Sequence, residues 1–222
     1  MSASASRTSC SLALNYGNIA FVDDAVGRVL ATLRRLGLDD DTVVMFTSDH
    51  GELLGDRGLM LKGGLHLRPL TRVPFVWRDT PERRHPGRSA ALAQTIDIGP
   101  TVLDRAGIAP ANGMQGVALA AVLDGTLPGV RETLVIEEEG QRRDFGLSQR
   151  LRMRSLLTGT HRLTVYADEP WGEFYDLAQD PLELRNLWND PGARAVKGDL
   201  ALRLAAAMAR GADTSPYPGA SA

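Results

Sequence analysis

Cysteine is almost absent from this sequence: the 222 residues contain one, Cys10. A single cysteine cannot form an internal disulfide, and its presence gives no indication of an oxidising compartment. Long apolar runs are missing too, so no segment is expected to span a bilayer, and residues 1–7 lack the apolar core of a signal peptide. We therefore expect a protein without a membrane span that is, by default, cytoplasmic.

An excess of charge of one sign is also lacking. The sequence has 25 Lys and Arg against 27 Asp and Glu, for a net charge of −2. This balance gives no electrostatic reason to expect binding to nucleic acid or to an anionic membrane. With 43% hydrophobic and 23% charged residues, the chain has the composition of a globular protein of one large or two small domains.

The most informative stretch is an apolar run that leads into a polar turn. Residues Val43–Phe46 are continuously apolar, which predicts a strand buried on both faces of a parallel sheet. The turn that follows holds Asp49 and His50, an oxygen ligand and a nitrogen ligand side by side, and then Gly51. Ligands of open α/β sheets bind beyond the carboxyl ends of strands, so the pair is a candidate metal site. The alternative is an ordinary Asx-type turn.

Four short motifs follow one another with consistent spacing around this turn. They are Ser48-Asp49-His50-Gly51, Gly55-Asp56-Arg57-Gly58, Lys62 and Arg72-Val73-Pro74. In this order they resemble the sulfatase family of the alkaline-phosphatase-like superfamily. Near the other end, Glu173-Phe174-Tyr175-Asp176-Leu177 followed by Asp180-Pro181-Leu182-Glu183 resembles the C-terminal signature of the same family.

The resemblance assigns roles to four residues. It implies that Asp49 and His50 bind a divalent metal, with Ca²⁺ favoured over Mn²⁺, Mg²⁺ or Zn²⁺. It implies that Lys62 binds a sulfate oxygen as a catalytic and substrate-binding residue; the alternative is a surface lysine. His66, four residues later, would face the substrate entrance with the same two roles, or else be a solvated loop residue.

The fold expected from the resemblance is α/β, with a partial parallel sheet and helices of the alkaline-phosphatase-like kind. Residues 1–130 would belong to the catalytic domain and contain two parallel strands, Val43–Thr47 and Val73–Trp77. Residues 131–222 would form a small antiparallel sheet that carries a helix at Gly198–Arg210.

The resemblance runs from about Tyr16 to Arg210 but covers only the C-terminal half of the family's fold. The family's nucleophile comes from a Cys-x-Pro/Ala-x-Arg motif, whose cysteine is oxidised to formylglycine. Cys10 lacks both partner residues of that motif, so we interpret it as an incidental thiol. We therefore expect a sulfatase fragment that is inactive alone, whose parent reaction is metal-assisted hydrolysis of sulfate esters.

Two alternatives stay open at this point. One is a fragment of a phosphonate monoester or phosphodiester hydrolase from the same superfamily. The other is a non-catalytic remnant that only binds a partner or a metal. The expected partners are a small sulfate ester or related anionic ester, and either further copies of the chain or the missing N-terminal half.

Overall fold

The computed structural model describes residues 3–60, 62–140 and 150–211, with side chains from Cys10 onward. It consists of two compact units, Met1–Pro86 and Gly87–Ala222. The expected boundary between residues 130 and 131 stays a prediction. None of the described helices is both long and apolar enough to cross a membrane.

The first unit begins with a long helix, α1, at Ala3–Arg35. Apolar residues at three- and four-residue spacing predict a helix over Ala13–Leu36, but the observed helix starts earlier, at Ala3. Its end is a Schellman motif, in which the N–H of Leu38 donates to the Leu33 carbonyl at 3.0 Å and that of Gly37 donates to Arg34 at 3.0 Å. Gly37 has a φ of +70°, which a residue with a Cβ adopts at a cost.

Two short strands follow, β1 at Val44–Thr47 and β2 at Phe75–Arg78, with a one-turn helix, α2, at Arg68–Thr71 between them. The strands pair directly with each other, and they run antiparallel. The prediction of parallel strands is therefore wrong. A four-residue apolar run does not encode strand direction, and the connection between these strands lacks the long crossover helix usual for parallel neighbours.

A leucine cluster closes the connection between β1 and β2. Leu53, Leu67 and Leu70 are buried against one another, and Leu59 and Leu65 pack on them. These residues lie before and after Lys62 along the chain. The cluster therefore holds together the two arms of residues 48–72, which we call the site loop.

The second unit begins with a turn and a helix that are organised by one buried carboxylate. Helix α3 spans Ile98–Arg105, and a shorter helix, α4, spans Ala120–Leu123. Asp97 lies just before α3 and is fully buried. Its carboxylate accepts hydrogen bonds from both terminal nitrogens of Arg131. It also accepts the N–H groups of Gln94 at 2.8 Å and Val117 at 2.9 Å. One side chain thus joins three segments that are distant in sequence.

The rest of this unit is an antiparallel sheet that carries a helix, as predicted. The strands pair in chain order. They are β3 (Thr133–Glu139), β4 (Arg152–Thr158), β5 (His161–Tyr166) and β6 (Gly172–Asp176), and the helix is α5 (Arg194–Arg210).

The two faces of this sheet differ in chemistry. On one face, Leu156, Leu163 and Phe174 form a buried core with Leu200 and Leu204 of α5. On the other face, three neighbouring strands contribute buried polar side chains. These are Ser155, Arg162, Thr164 and Glu173.

Candidate functional site

The candidate site is the turn that follows β1. Its carboxylate, Asp49, is exposed and accepts the backbone N–H of His50 at 2.9 Å. This hydrogen bond is the largest influence that lowers the pKa of Asp49 below its usual value, and the Ser48 hydroxyl, 3.3 Å away, adds to it. Asp49 is therefore an anion at neutral pH, available to a cation.

The ring of His50 is held in one tautomer by its neighbours. Nδ1 lies 2.7 Å from the Gly51 carbonyl oxygen, which can only accept, so Nδ1 carries the hydrogen. Nε2 then presents its lone pair outward, 3.5 Å from Asp49 Oδ2. Orientation of a ligating imidazole by a backbone carbonyl on its other nitrogen is usual in metal sites.

The turn is anchored from behind by α2. The N–H of Gly51 donates to the Leu70 carbonyl at 2.8 Å. The Pro69 carbonyl comes so close that a Cβ on Gly51 would lie 1.8 Å from its oxygen. A glycine here suggests a tight turn, but the φ of Gly51 lies outside the left-handed region, and the close approach of Pro69 is the actual reason for glycine. The leucine cluster thus supports Asp49 and His50 through α2.

Lys62 reaches the same turn from the tip of the site loop. Its Nζ lies 2.5 Å from His50 Nε2, and its side chain is exposed. An ammonium group has only donors, so Nε2 is the acceptor of this bond. The structure therefore brings Asp49, His50 and Lys62 together at one point on the surface. Their roles in metal and sulfate binding stay predictions.

Comparison with known proteins identifies relatives of this chain. The family model described as Sulfatase matches residues 5–108, which include the turn and Lys62. A multifunctional alkaline phosphatase superfamily protein, PehA, from Trinickia caryophylli is 34% identical over 195 residues, 83% of this chain and 38% of that protein. The chain belongs to the sulfatase family.

Two further sulfatase-family relatives extend the comparison. The choline-sulfatase of Rhizobium meliloti is 31% identical over 79% of this chain and 33% of its own length. The solved phosphonate monoester hydrolase of Agrobacterium radiobacter is 33% identical with a TM-score of 0.79, over 89% of this chain and 41% of that one. The α/β fold of this superfamily is thereby confirmed. The chain spans about two fifths of the length of its relatives.

Asp49 and His50 are the candidate ligands for the divalent cation that the family implies. Asp49 supplies a carboxylate and His50 an unprotonated nitrogen, and their 3.5 Å separation lets both bind one cation at the usual distances of about 2.0–2.6 Å. Among the residues that the structure describes, no group of three or more His, Cys, Asp or Glu could hold a metal. The pair therefore fits a divalent cation as part of a ligand set, and does not complete one among the described residues.

His66 is buried, and not solvated as one of its two expected environments required. Only 4% of it is exposed, between two members of the leucine cluster, Leu65 and Leu67. Its burial excludes the solvated alternative. A role in substrate binding or catalysis stays a prediction.

Three residues that support the turn, Ser48, Pro69 and Leu70, have no role assigned from the sequence. The hydroxyl of Ser48 donates to the His50 carbonyl at 3.0 Å and so closes the turn. Pro69 and Leu70 support Gly51 from α2. Ser48 could have been found from its place in the motif, since a serine before Asp-His-Gly is well positioned to bond the turn. No local signal links residues 69–70 to Gly51.

Proposed function

We propose that this chain supplies the metal-binding and oxyanion-binding side of an active site that hydrolyses sulfate esters. The observation that carries the proposal is the convergence of Asp49, His50 and Lys62 at the end of β1. A carboxylate, an imidazole lone pair and an ammonium group within one short turn are suited to an anionic ester and its cation. The membership of the sulfatase family supplies the reaction class.

Each residue would have a distinct task. Asp49 and His50 would hold a divalent cation, which offsets charge on the non-bridging oxygens of the ester. Lys62 would bind a further sulfate oxygen through its ammonium group and stabilise negative charge that builds up there. Gly51, through its bond to α2, would keep the ligands in place.

We further propose that the nucleophile of this reaction lies outside the 222 residues. Cys10 is exposed on α1 and lacks the residues that accompany the family's formylglycine cysteine. Binding groups without a nucleophile leave the covalent step unassisted. The purified chain should therefore not turn over a chromogenic aryl sulfate. Turnover that is lost in Lys62→Ala would contradict this part of the proposal.

The metal-binding part is tested by calorimetric titration of the purified chain with Mn²⁺ or Ca²⁺. Weak binding is expected, because two ligands satisfy few of the about six to eight positions that Ca²⁺ prefers. Asp49→Ala should abolish it, and His50→Ala should weaken it measurably, because the Asp49 carboxylate stays in place. Asp40→Ala removes an exposed carboxylate from the same unit and should leave it unchanged. An equal loss of cation binding in Asp40→Ala, or no cation binding by the wild-type chain, would refute the assignment of Asp49 and His50 as ligands.

A second candidate is hydrolysis of phosphonate monoesters. The solved phosphonate monoester hydrolase resembles this chain over 89% of its length at 33% identity. The same three side chains suit a phosphonate as well as a sulfate, because both present non-bridging oxygens to the cation and to Lys62. Titration of the chain with Mn²⁺ and then with sulfate or phenylphosphonate distinguishes the two candidate functions. Preferential binding of phenylphosphonate favours the second candidate.

A non-catalytic remnant is the remaining alternative. It predicts that cation binding, if present, is indifferent to anions. A response of cation affinity to sulfate or phenylphosphonate distinguishes an ester-binding site from it.

A further inference from the structure

We infer that Lys62 competes with the divalent cation for His50, so that cation binding requires Lys62 to move. The inference rests on the proposed function and concerns the regulation of that same site. It makes Lys62 a displaceable occupant of the ligand position as well as a sulfate-binding group.

The competition follows from the single lone pair of a neutral imidazole. His50 Nδ1 is committed to the Gly51 carbonyl at 2.7 Å, so this nitrogen cannot serve as the metal ligand while the turn is intact. Nε2 holds the only available lone pair, and Lys62 Nζ donates to it at 2.5 Å. A nitrogen lone pair cannot bind a cation and accept this hydrogen bond together.

Charge acts in the same direction as the lone pair. Nε2 lies 3.5 Å from Asp49 Oδ2, so a cation shared by both ligands would meet the Lys62 ammonium group at short range. Two positive charges this close repel each other. Lys62 has a flexible four-carbon stem and an exposed side chain, so it can swing away while the anchored ring of His50 stays in place.

The displaced ammonium group then becomes available to an oxyanion. An anion that draws Lys62 away from His50 frees the lone pair and strengthens cation binding. By linkage, the cation must strengthen anion binding by the same factor. The turn would thus favour joint occupancy by cation and ester over either alone.

The test is a double-mutant cycle of Mn²⁺ affinity, measured by calorimetry on the wild-type chain, Lys62→Met, His50→Ala and the double variant. Lys62→Met should tighten Mn²⁺ binding at least about fivefold, as expected for a coupling of ordinary size. In the His50→Ala background, Lys62→Met should tighten Mn²⁺ binding by a smaller factor, because the Nε2 lone pair for which Lys62 and Mn²⁺ compete is absent. An unchanged or weakened affinity in Lys62→Met overturns the inference.

Two comparisons distinguish competition for the His50 lone pair from simple charge repulsion between Lys62 and the cation. If Lys62→Met tightens binding equally with and without His50, repulsion alone explains the result and the competition is refuted. Arg83→Gln removes an exposed positive charge from the same unit and should change Mn²⁺ affinity little. Sulfate should raise Mn²⁺ affinity in the wild type and should do so less in Lys62→Met; an equal response in both contradicts the coupling.

Nitrogen-15 NMR of His50 gives a readout without metal. The wild-type ring should show Nδ1 protonated and Nε2 unprotonated, and Lys62→Met should shift the Nε2 resonance while Nδ1 stays nearly constant. An Nε2 chemical shift that is the same in the wild type and in Lys62→Met overturns the inference. Failure of Asp49→Ala to reduce Mn²⁺ binding would instead refute the proposed function, so the two failures are distinguishable.

Discussion

The backbone of Gly51 packs directly on the carbonyl of Pro69, and a Cβ at Gly51 would stand 1.8 Å from that oxygen. This contact, with the hydrogen bond from Gly51 to Leu70, fixes the Asp49–His50 turn to α2. Neither atom is the end of a flexible side chain, so the clash cannot be relieved by a rotamer change. The position of Asp49 and His50 therefore depends on the absence of one methyl group.

We predict that Gly51→Ala displaces the turn and abolishes Mn²⁺ binding. Overpacking costs about 1–3 kcal/mol where side chains can adjust, and a backbone clash should cost at least that much. Calorimetric titration and thermal melting check both effects. Gly27→Ala is the matched control, because Gly27 lies in α1 with nothing near its Cβ position. It should leave Mn²⁺ binding intact and stabilise the helix by about 1 kcal/mol. Normal Mn²⁺ binding by Gly51→Ala would contradict the prediction.

Asp97 is predicted to determine the acid stability of the second unit. Burial raises the pKa of Asp97, but the hydrogen bonds from Arg131 and from the N–H groups of Val117 and Gln94 outweigh it. The folded pKa therefore lies below the ordinary value of about 3.9, and the stabilisation is present above that pH. It should be lost as the pH falls through the folded pKa.

Asp97→Asn should remove this contribution at neutral pH. Breaking a buried pair costs about 3–5 kcal/mol, because Arg131 keeps a charge with no counter-ion. Urea unfolding at pH 7 and near pH 3 measures the difference, which should shrink in acid. Asp104→Asn changes an exposed carboxylate in α3, the helix that follows Asp97, and should alter stability by less than about 0.5 kcal/mol. Equal effects of the two substitutions would count against the role of Asp97.

Local patterns predicted the helices and the C-terminal sheet well. The two-residue turn Gly159-Thr160 and the run of strand-forming residues after it predict a hairpin strand at His161–Tyr166, and β5 has these ends. Helix α1 was found from its spacing, although it begins earlier. In both cases the signal is local, so the sequence contains it directly.

Contacts between distant segments were harder to predict. The direction of β1 relative to β2 is set by the path of the site loop, which no short pattern encodes. The bond between Asp97 and Arg131, 34 residues away, likewise depends on the folded unit. Asp49 and His50 were candidates from their place after a strand, whereas Lys62 was added only by the resemblance to a known family.

The buried polar face of the C-terminal sheet is predicted to depend on Arg162. Its Nε lies 2.5 Å from Glu183 Oε1, and one Nη donates to Thr164 at 2.7 Å and to Glu173 at 2.8 Å. Its guanidinium also lies 4.8 Å from the centre of the Tyr175 ring. These partners compensate the cost of burying a charge, which is otherwise several kcal/mol.

Glu183→Gln should therefore destabilise the sheet by about 3–5 kcal/mol, since it leaves the buried guanidinium with one counter-ion fewer. The control is Arg152→Gln on a neighbouring strand, whose pair with Glu139 is mostly exposed. Exposed pairs contribute about 0–1 kcal/mol, so the control should change the urea midpoint little. A small effect of Glu183→Gln would show that Glu173 alone suffices for Arg162.

The last prediction concerns association. Phe46 on β1 and Val76 on β2 are cross-strand partners, yet 41% and 54% of them are exposed. On α1, Tyr16 and Phe21 are about 70% exposed. A two-stranded sheet is marginally stable by itself, and exposed apolar strand surface recruits other chains. We therefore predict that the purified chain self-associates or melts without a sharp transition.

The cause of association can be assigned by substitution. Phe46→Thr combined with Val76→Thr keeps β-forming residues but removes the apolar pair, so the mean mass by light scattering should fall. Leu202→Gln on α5 removes an isolated exposed leucine and should change nothing, because single exposed apolar residues are ordinary. Co-expression with the N-terminal half of a sulfatase should also suppress association if that half covers the exposed surface. A monodisperse wild-type monomer with one cooperative melt would show instead that β1 and β2 need no cover, and would favour an independent binding module.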